Sequence, residues 1–316
     1  MTEQSTAPQP LRRPPEQRET RIVSARSSVA HRFRELWRTR ELLVHLTQSD
    51  IKVKYKNSAL GLLWSMVTPL MQLGIFWLVF GFILKNGYPH FVVFLFAGLI
   101  AWNFFSGSLN TATGIIVERA GIVKKVAFPR EILALSTVGA QIFYFSMQAL
   151  AMAVILVVLQ ASPDWALLWL LVPAMAALLV LAAGFSVLLS ALNVKLRDMR
   201  HLIEVATQLW FWLTPIVYPY EKLAPQLRTL GIGWLYLANP MTPIVMTFQR
   251  VLYPHLVVQS TNYPKTPVPR YLPVLPTWSP ATYAGLDCLI LVGAAALLVF
   301  AVWVFGRLEG NFAEEL

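Results

Sequence analysis

Three consecutive aromatic residues, Trp210, Phe211 and Trp212, stand shortly before Pro215, with Tyr218 and Tyr220 just beyond it. Phe76, Trp77 and Phe80 form a second aromatic group, and Trp102, Phe104 and Phe105 a third; no Lys, Arg, Asp or Glu interrupts any of them. The faces of such rings carry partial negative charge. They stack on the C–H faces of sugar rings without demanding one hydroxyl pattern. The chemistry on offer is therefore weak, repeated, tolerant contact with a carbohydrate chain, although many such rings also fit interfacial belts.

Covalent chemistry has less to work with. A catalyst needs a carboxylate or histidine placed for proton transfer. The candidates near apolar sequence, His45, Asp50, His90, Glu118, Asp198, Glu204 and Asp287, form no recognisable constellation. There is no Gly-rich GxxxxGKS/T phosphate loop either. The expectation is a chain with no catalytic residues, no metal site and no cofactor of its own. A membrane glycosyltransferase or acyltransferase, and a non-transporting scaffold or receptor, are the disfavoured alternatives.

The elements that carry these residues belong to a bilayer. Of 316 residues, 56% are apolar and 13% charged, where soluble domains carry about a quarter charged. The apolar residues come in blocks of the length, roughly 20 residues, that crosses about 30 Å of hydrocarbon. The pattern predicts an all-α membrane protein with six spans, at about 61–84, 91–117, 132–160, 166–192, 202–218 and 281–305. The fifth is short and holds Pro215, which leaves a carbonyl one turn back without its helical donor. Protein or water must cover that group, so this span is expected to line something and not to face lipid.

Basic residues set the orientation. With the N-terminus inside, the inner segments hold 20 Lys and Arg and the outer ones 6, predicting N-in and C-in. No cleavable signal peptide is expected. Residues 1–30 read as a disordered basic cytoplasmic tail, and 31–57 as a basic amphipathic helix at the membrane interface. Its stripe is Phe33, Leu36, Trp37, Leu43, Val44, Ile51 and Tyr55, broken by Leu42, Leu46 and Val53. The lone Cys288 excludes an internal disulfide.

Ionisable groups are nearly absent from the spans. Glu204 lies in the first turn of the fifth, and Asp287 lies six residues into the sixth, roughly 9 Å deep at 1.5 Å per residue. Ion-coupled transporters usually carry Asp, Glu or His in the membrane. Proton or sodium coupling is disfavoured, and the energy for any transport must come from another polypeptide.

Five stretches carry a family resemblance. RELLVHLTQSDIKVKYKNSALGLLWSMVTPL (40–70) looks like the entry to the first span of type-2 ABC exporter permeases, in the branch that exports polysaccharide, O-antigen and teichoic acid. IVKKVAFPREILALS (122–136) is similar to the loop between spans two and three, and NVKLRDMRHLIEVATQLWFWLTPIVYP (193–219) to the next inner loop and fifth span. ANPMTPIVMTFQRVL (238–252) and RLEGNFAEEL (307–316) complete the match in order.

The resemblance implies a homodimer in which each protomer pairs with one cytoplasmic ABC ATPase subunit that binds ATP and Mg. The cargo it implies is a polyprenyl-diphosphate-linked polysaccharide, with no nucleic acid partner. A drug or small-molecule exporter of the same fold is the competing reading. Residues 118–131 are implied to couple to the ATPase through Lys124, Lys125, Phe128, Pro129, Arg130 and Glu131, with Arg197 and Asp198 as a second contact. A glycan channel is expected to be lined by Phe76, Trp77, Phe80, Trp102, Phe105, Trp210, Phe211, Trp212 and Tyr218. Lys52, Lys54 and Lys56 are expected to offset the charge of the lipid diphosphate headgroup. The outer region 219–280, with eleven prolines, is implied to hold short re-entrant helices, with apolar pieces at about 227–237 and 242–252.

Overall fold

The computed structural model describes residues 29–56, 58, 61–85, 88–126, 128–253, 255–259 and 271–316. The expected basic tail, through residue 28, and the middle of the outer loop, 260–270, lie outside the described residues. In chain order the helices are α1 (Val29–Arg38), α2 (Arg40–Tyr55), α3 (Trp64–Phe76), α4 (Phe91–Glu118), α5 (Ala120–Val123), α6 (Glu131–Val158), α7 (Leu171–Lys195), α8 (Met199–Trp212), α9 (Tyr220–Thr229), α10 (Gly233–Ala238), α11 (Met241–Leu252), α12 (Pro280–Leu308) and α13 (Phe312–Glu315). A π-helical stretch, Trp77–Ile83, continues α3, and a 3-10 stretch, Trp165–Leu170, leads into α7. A small antiparallel ribbon pairs β1 (Val257–Gln259) with β2 (Tyr271–Pro273), with Val258 opposite Leu272.

Five of these segments are long and apolar enough to cross a membrane: Trp64–Ile83, Phe91–Glu118, Glu131–Val158, Trp165–Lys195 and Pro280–Leu308. α4 is the hub, with 78% of its apolar window buried against 11% for Trp64–Ile83. Lipid is as apolar as leucine, so close approach and polar contacts must hold such a bundle together. α7 and α12 form its most extensive pair. They meet at Gly184, where a Cβ would lie 3.2 Å from the Leu298 backbone nitrogen. Asn103 Nδ2 donates to Gln148 Oε1 at 3.0 Å between α4 and α6, and Thr247 Oγ1 donates to Asp287 Oδ2 at 2.8 Å between α11 and α12. α12 begins where the sequence directs: Ser279 Oγ accepts from the Thr282 amide at 3.3 Å, and Pro280 follows in the first turn.

The expected fifth span, 202–218, differs from the expectation. Its helix, α8, has 14 residues and stops at Trp212; at 1.5 Å per residue it is about 21 Å long, short of the roughly 30 Å core. Trp210 at its end packs on Phe105 and Phe185, which lie midway along α4 and α7. The ends of α7 and α12 lie together, with Val194, Phe305 and Phe312 in one apolar cluster. The chain between residues 196 and 279 therefore starts and finishes at opposite ends of the bundle. α8 covers the first half of that distance, and the turn after it, with α9, α10 and α11, covers the rest. The expected apolar piece 227–237 is split by Gly231, whose φ of +70° suits glycine, into the end of α9 and α10. The other piece is α11, buried from Met241 to Gln249.

The segment expected as one interface helix, 31–57, is two helices hinged at Thr39. α2 runs alongside α6 in the same direction: Thr47 Oγ1 donates to the Ser136 carbonyl at 3.3 Å, and the Lys54 ammonium lies 4.4 Å from the Tyr144 ring centroid. Leu42 and Leu46, which interrupt the expected stripe, sit on the partly covered side with Leu43, Thr47, Asp50 and Ile51, while Phe33, Trp37, Val44 and Val53 are exposed. α2 thus has two apolar faces, which is why a single-stripe reading came out broken.

Candidate functional site

α3, α4 and α8 enclose a one-sided groove with a cavity of about 290 Å³. Residues four apart share a helix face, and each helix contributes such a set: Gln72 and Phe76 from α3; Trp102, Ser106 and Asn110 from α4; Glu204, Thr207, Gln208, Phe211 and Trp212 from α8. Phe76 stacks on Phe211 with ring centroids 5.4 Å apart and planes at 16°, and meets Trp212 edge-on at 6.3 Å. Trp102 closes the aromatic wall, edge-on to Phe211 at 5.7 Å. The opposite wall is polar. Asn110 Nδ2 donates to Thr207 Oγ1 at 3.4 Å, while Asn110 Oδ1 has no partner among the described residues. The groove therefore offers flat aromatic faces, donors and acceptors together, with its one carboxylate, Glu204, at the inner end.

Of the residues expected to line a glycan channel, Phe76, Trp102, Phe211 and Trp212 meet in this groove. Trp210 and Phe105 stand behind it, 5.1 Å apart, with Phe185 against both. Phe80 backs Phe76 at 6.3 Å. Trp77 is 45% exposed on the far side of α3, over Gly81. Tyr218 lies in the turn after α8. An aromatic-only reading misses Gln72, Ser106, Asn110, Thr207 and Gln208; their spacing of four or eight residues from Phe76, Trp102, Phe211 and Trp212 puts them on the same faces, which matters only once the three helices meet.

The end of α8 is held by a complete set of donors. Buried backbone carbonyls must find partners, and in hydrocarbon there is no water to supply them. Thr214 Oγ1 donates to the Trp210 carbonyl at 2.9 Å, the Thr214 amide to Phe211 at 3.2 Å, and Tyr218 Oη to Trp212 at 2.8 Å. Asn239 Nδ2 reaches the Leu213 carbonyl at 3.4 Å, the Ile216 amide reaches Thr214 at 2.7 Å, and Gln249 Nε2 reaches Pro215 at 2.9 Å. Asn239 Oδ1 also accepts from Trp210 Nε1 at 2.8 Å and from the Met241 amide at 3.0 Å. Asn239 and Gln249 thereby pin the groove helix to the α10–α11 unit.

At the inner end, α5 and the turn after it present Lys124 and Lys125, both exposed, while Phe128, Pro129 and Arg130 are partly buried. Glu131 is 1% exposed and bonded to Arg32 at 2.5 Å, so its carboxylate faces inward and does not form part of an outer surface. Arg197 and Asp198 are exposed between α7 and α8.

A second cavity, about 390 Å³, lies between α2, α4 and α6 and is lined by Asp50, Lys54, Thr111, Glu118, Arg119, Gln141 and Tyr144 among others. Arg119 pairs with Asp50, and Arg200 pairs with Glu118 at 2.9 Å. Among the described residues no carboxylate pairs with Lys54. Although that residue as a whole is exposed, surrounding protein strips water from its ammonium and lowers its pKa. Burial pushes the Asp50 carboxyl up, against the pull of Arg119 and the Ser136 hydroxyl. Lys52 and Lys56 are exposed outside this cavity.

Comparison with known proteins gives the family. Over 224 residues, 70% of this chain and 84% of the relative, the sequence is 30% identical to the O-antigen export system permease protein RfbA of Myxococcus xanthus. It is 28% identical to the RfbA permease of Klebsiella pneumoniae over 87% of this chain and 95% of that one. It is 22% identical to the polysialic acid transport protein KpsM of Escherichia coli over 68% of this chain and 83% of that one. With five helices long and apolar enough to cross a membrane among its described residues, it is a multi-pass inner-membrane protein and a transporter, not an enzyme. The model of the ABC-2 type transporter matches residues 41–253, from α2 to the end of α11, and the chain belongs to that family.

Proposed function

We propose that this chain is the permease of an ABC exporter that carries a polyprenyl-diphosphate-linked polysaccharide, of galactan, O-antigen or teichoic acid type, from the cytoplasm to the outer face. The groove between α3, α4 and α8 carries the reading. An aromatic wall facing amides and hydroxyls suits a sugar chain, which presents C–H faces and hydroxyls together. A hydrophobic drug would leave Gln72, Asn110 and Gln208 unpaired, at a cost that disfavours it.

The groove is open on one side, and a second copy of the chain facing it would close a channel. In this reading six crossings with both termini inside are made by the five long helices and by α8 completed by the α9–α11 unit; the return of the chain between residues 196 and 279 supports it. Lys124 and Lys125 on one inner loop and Arg197 and Asp198 on the next meet one ATPase subunit per protomer, two in the dimer, which bind ATP and Mg and supply the energy. α1, with exposed Phe33 and Trp37 beside basic residues, lies at the membrane interface, and α2 leaves that interface along α6. The Lys54 ammonium, lacking a carboxylate partner, receives one charge of the diphosphate headgroup, with Lys52 and Lys56 contributing only to the surrounding field.

The test is reconstitution of the permease with its ATPase in proteoliposomes, reading ATP hydrolysis and appearance of glycan on the far side. Lipid-linked polysaccharide is expected to stimulate hydrolysis and to cross. Stimulation by hydrophobic drugs alone, or transfer without any ATPase, would overturn the reading.

A further inference from the structure

The inner end of the bundle holds a buried ionic cluster that the transport reading leaves unused. Arg32 on α1 is 9% exposed. Its Nη1 bonds to Glu131 Oε1 at 2.5 Å and its Nη2 to Glu309 Oε2 at 2.9 Å. Arg130, in the turn before α6, donates Nη1 to the Glu309 carbonyl oxygen at 2.9 Å, and its Nε lies 3.8 Å from Glu309 Oε1. Two cations and two anions, drawn from residues 99 and 277 positions away from Arg32, are thus neutralised at one point. The contact needs glycine at 306, because a Cβ there would fall 2.8 Å from Arg32 Nε.

The residues after Glu309 extend the connection. Phe312 is 1% exposed, edge-on to Phe305 at 5.4 Å and beneath the Arg130 guanidinium at 5.9 Å. It belongs to one apolar cluster with Val123 of α5, Phe128 and Val194 of α7. At the far end Arg197 donates Nη2 to the Glu315 carbonyl at 3.4 Å. A segment of eight residues therefore touches both inner loops at once.

We propose that residues 309–316 are a strap that makes the 119–131 and 195–198 loops one mechanical body, with Glu309 as its positioning residue. The physical case is that α5 is a single turn of four residues, too short to hold its own position by helical hydrogen bonds alone. Alone, it would yield to a push from below without moving α4 or α6. Clamped through Arg130 and Glu131 to Arg32, Glu309 and α12, it transmits the push to the bundle. This rests on the reading that those loops meet an ATPase. The strap itself is a property of this chain alone.

Two measurements separate the two claims. In a Cys288→Ser background, spin labels at Lys125 and Lys195, both exposed, report the distance between the loops in the full-length permease without any partner. A narrow distribution is expected for the parent and a broadened one for Glu309→Gln and for Phe312→Ala. An unchanged distribution in both variants overturns the strap. With the ATPase co-purified, Glu309→Gln is expected to retain the subunit and its ATP hydrolysis while losing glycan exported per ATP, a ratio that simple loss of folded protein does not alter. An unaltered ratio overturns the positioning role. A parent chain that captures no ATPase overturns the reading beneath it, whatever the labels report.

Discussion

Gln249, buried in the last turn of α11, donates its amide to the carbonyl oxygen of Pro215 at 2.9 Å. Pro215 is the residue that prevents α8 from continuing, and the bond reaches it from 34 positions along the chain. The break is therefore a built feature, with its donors supplied by the unit that follows it. Replacing Gln249 with Met keeps the bulk and removes the donor, leaving a buried carbonyl unsatisfied at a cost of about 1–3 kcal/mol. Thermal unfolding in detergent is expected to shift down, and Asn239→Leu to shift further, since Asn239 serves four partners.

Trp210 and Trp212 are neighbours with different tasks. Trp210 is wedged among Trp102, Phe105 and Phe185, so Trp210→Ala empties a packed site, at about 3–5 kcal/mol by analogy with core truncations. Trp212 is 47% exposed and faces the groove, so Trp212→Ala is expected to leave the melting temperature within a degree or so while export falls. Trp212→Phe restores most of the export, because it restores a stacking face. Melting and export measured side by side on the three variants check the division; equal melting losses at both positions would refute it.

Lys54 gives a pH-dependent prediction. Desolvation lowers its pKa, so at a given pH more of its amine is neutral and nucleophilic than for an ordinary lysine. Acylation of Lys54, followed by mass spectrometry across pH, is expected to show a midpoint below the ordinary lysine value. A phosphate headgroup beside the ammonium favours the charged form and moves that midpoint back up. Permease in vesicles with and without lipid-linked glycan supplies the two arms. An identical profile in both would remove Lys54 from the headgroup site.

How much of this was legible in the sequence depends on the range of the interaction. The five long helices follow from local apolar blocks, and the weakness of the fifth expected span followed from Pro215 itself. The aromatic half of the groove was visible because aromatic residues are conspicuous in charge-free sequence. Its polar half was not, since Asn110 and Gln208 look unremarkable until α4 and α8 are set face to face. Glu131 was read as part of a charged inner loop, and its burial came from Arg32 and Glu309, far away in the chain. Leu42 and Leu46 looked like errors in one stripe because a single helix pattern does not show that two different surroundings cover α2.

Gly139 on α6 marks where α2 docks, and it offers the sharpest test of that docking. A Cβ at residue 139 would stand 2.6 Å from Thr47 Oγ1 and 3.2 Å from Thr47 Cγ2. Real side chains essentially never come so close, and Thr47 is short, β-branched and bonded to the Ser136 carbonyl, so it has little room to give. Gly139→Ala is therefore expected to push α2 away from α6, although alanine is the better helix former by about 1 kcal/mol. The Asp50–Arg119 pair and the Asp50–Ser136 hydrogen bond lie one turn further along α2, so they loosen with it, and the cavity holding Lys54 opens. Gly139→Ala with Thr47→Ala, which deletes both crowding atoms at the cost of the Ser136 hydrogen bond, is expected to recover part of the loss. Protease sensitivity of residues 39–56 and headgroup protection of Lys54 are the readouts. If the single variant is as resistant and as well protected as the parent, then α2 is not seated against α6 at this glycine.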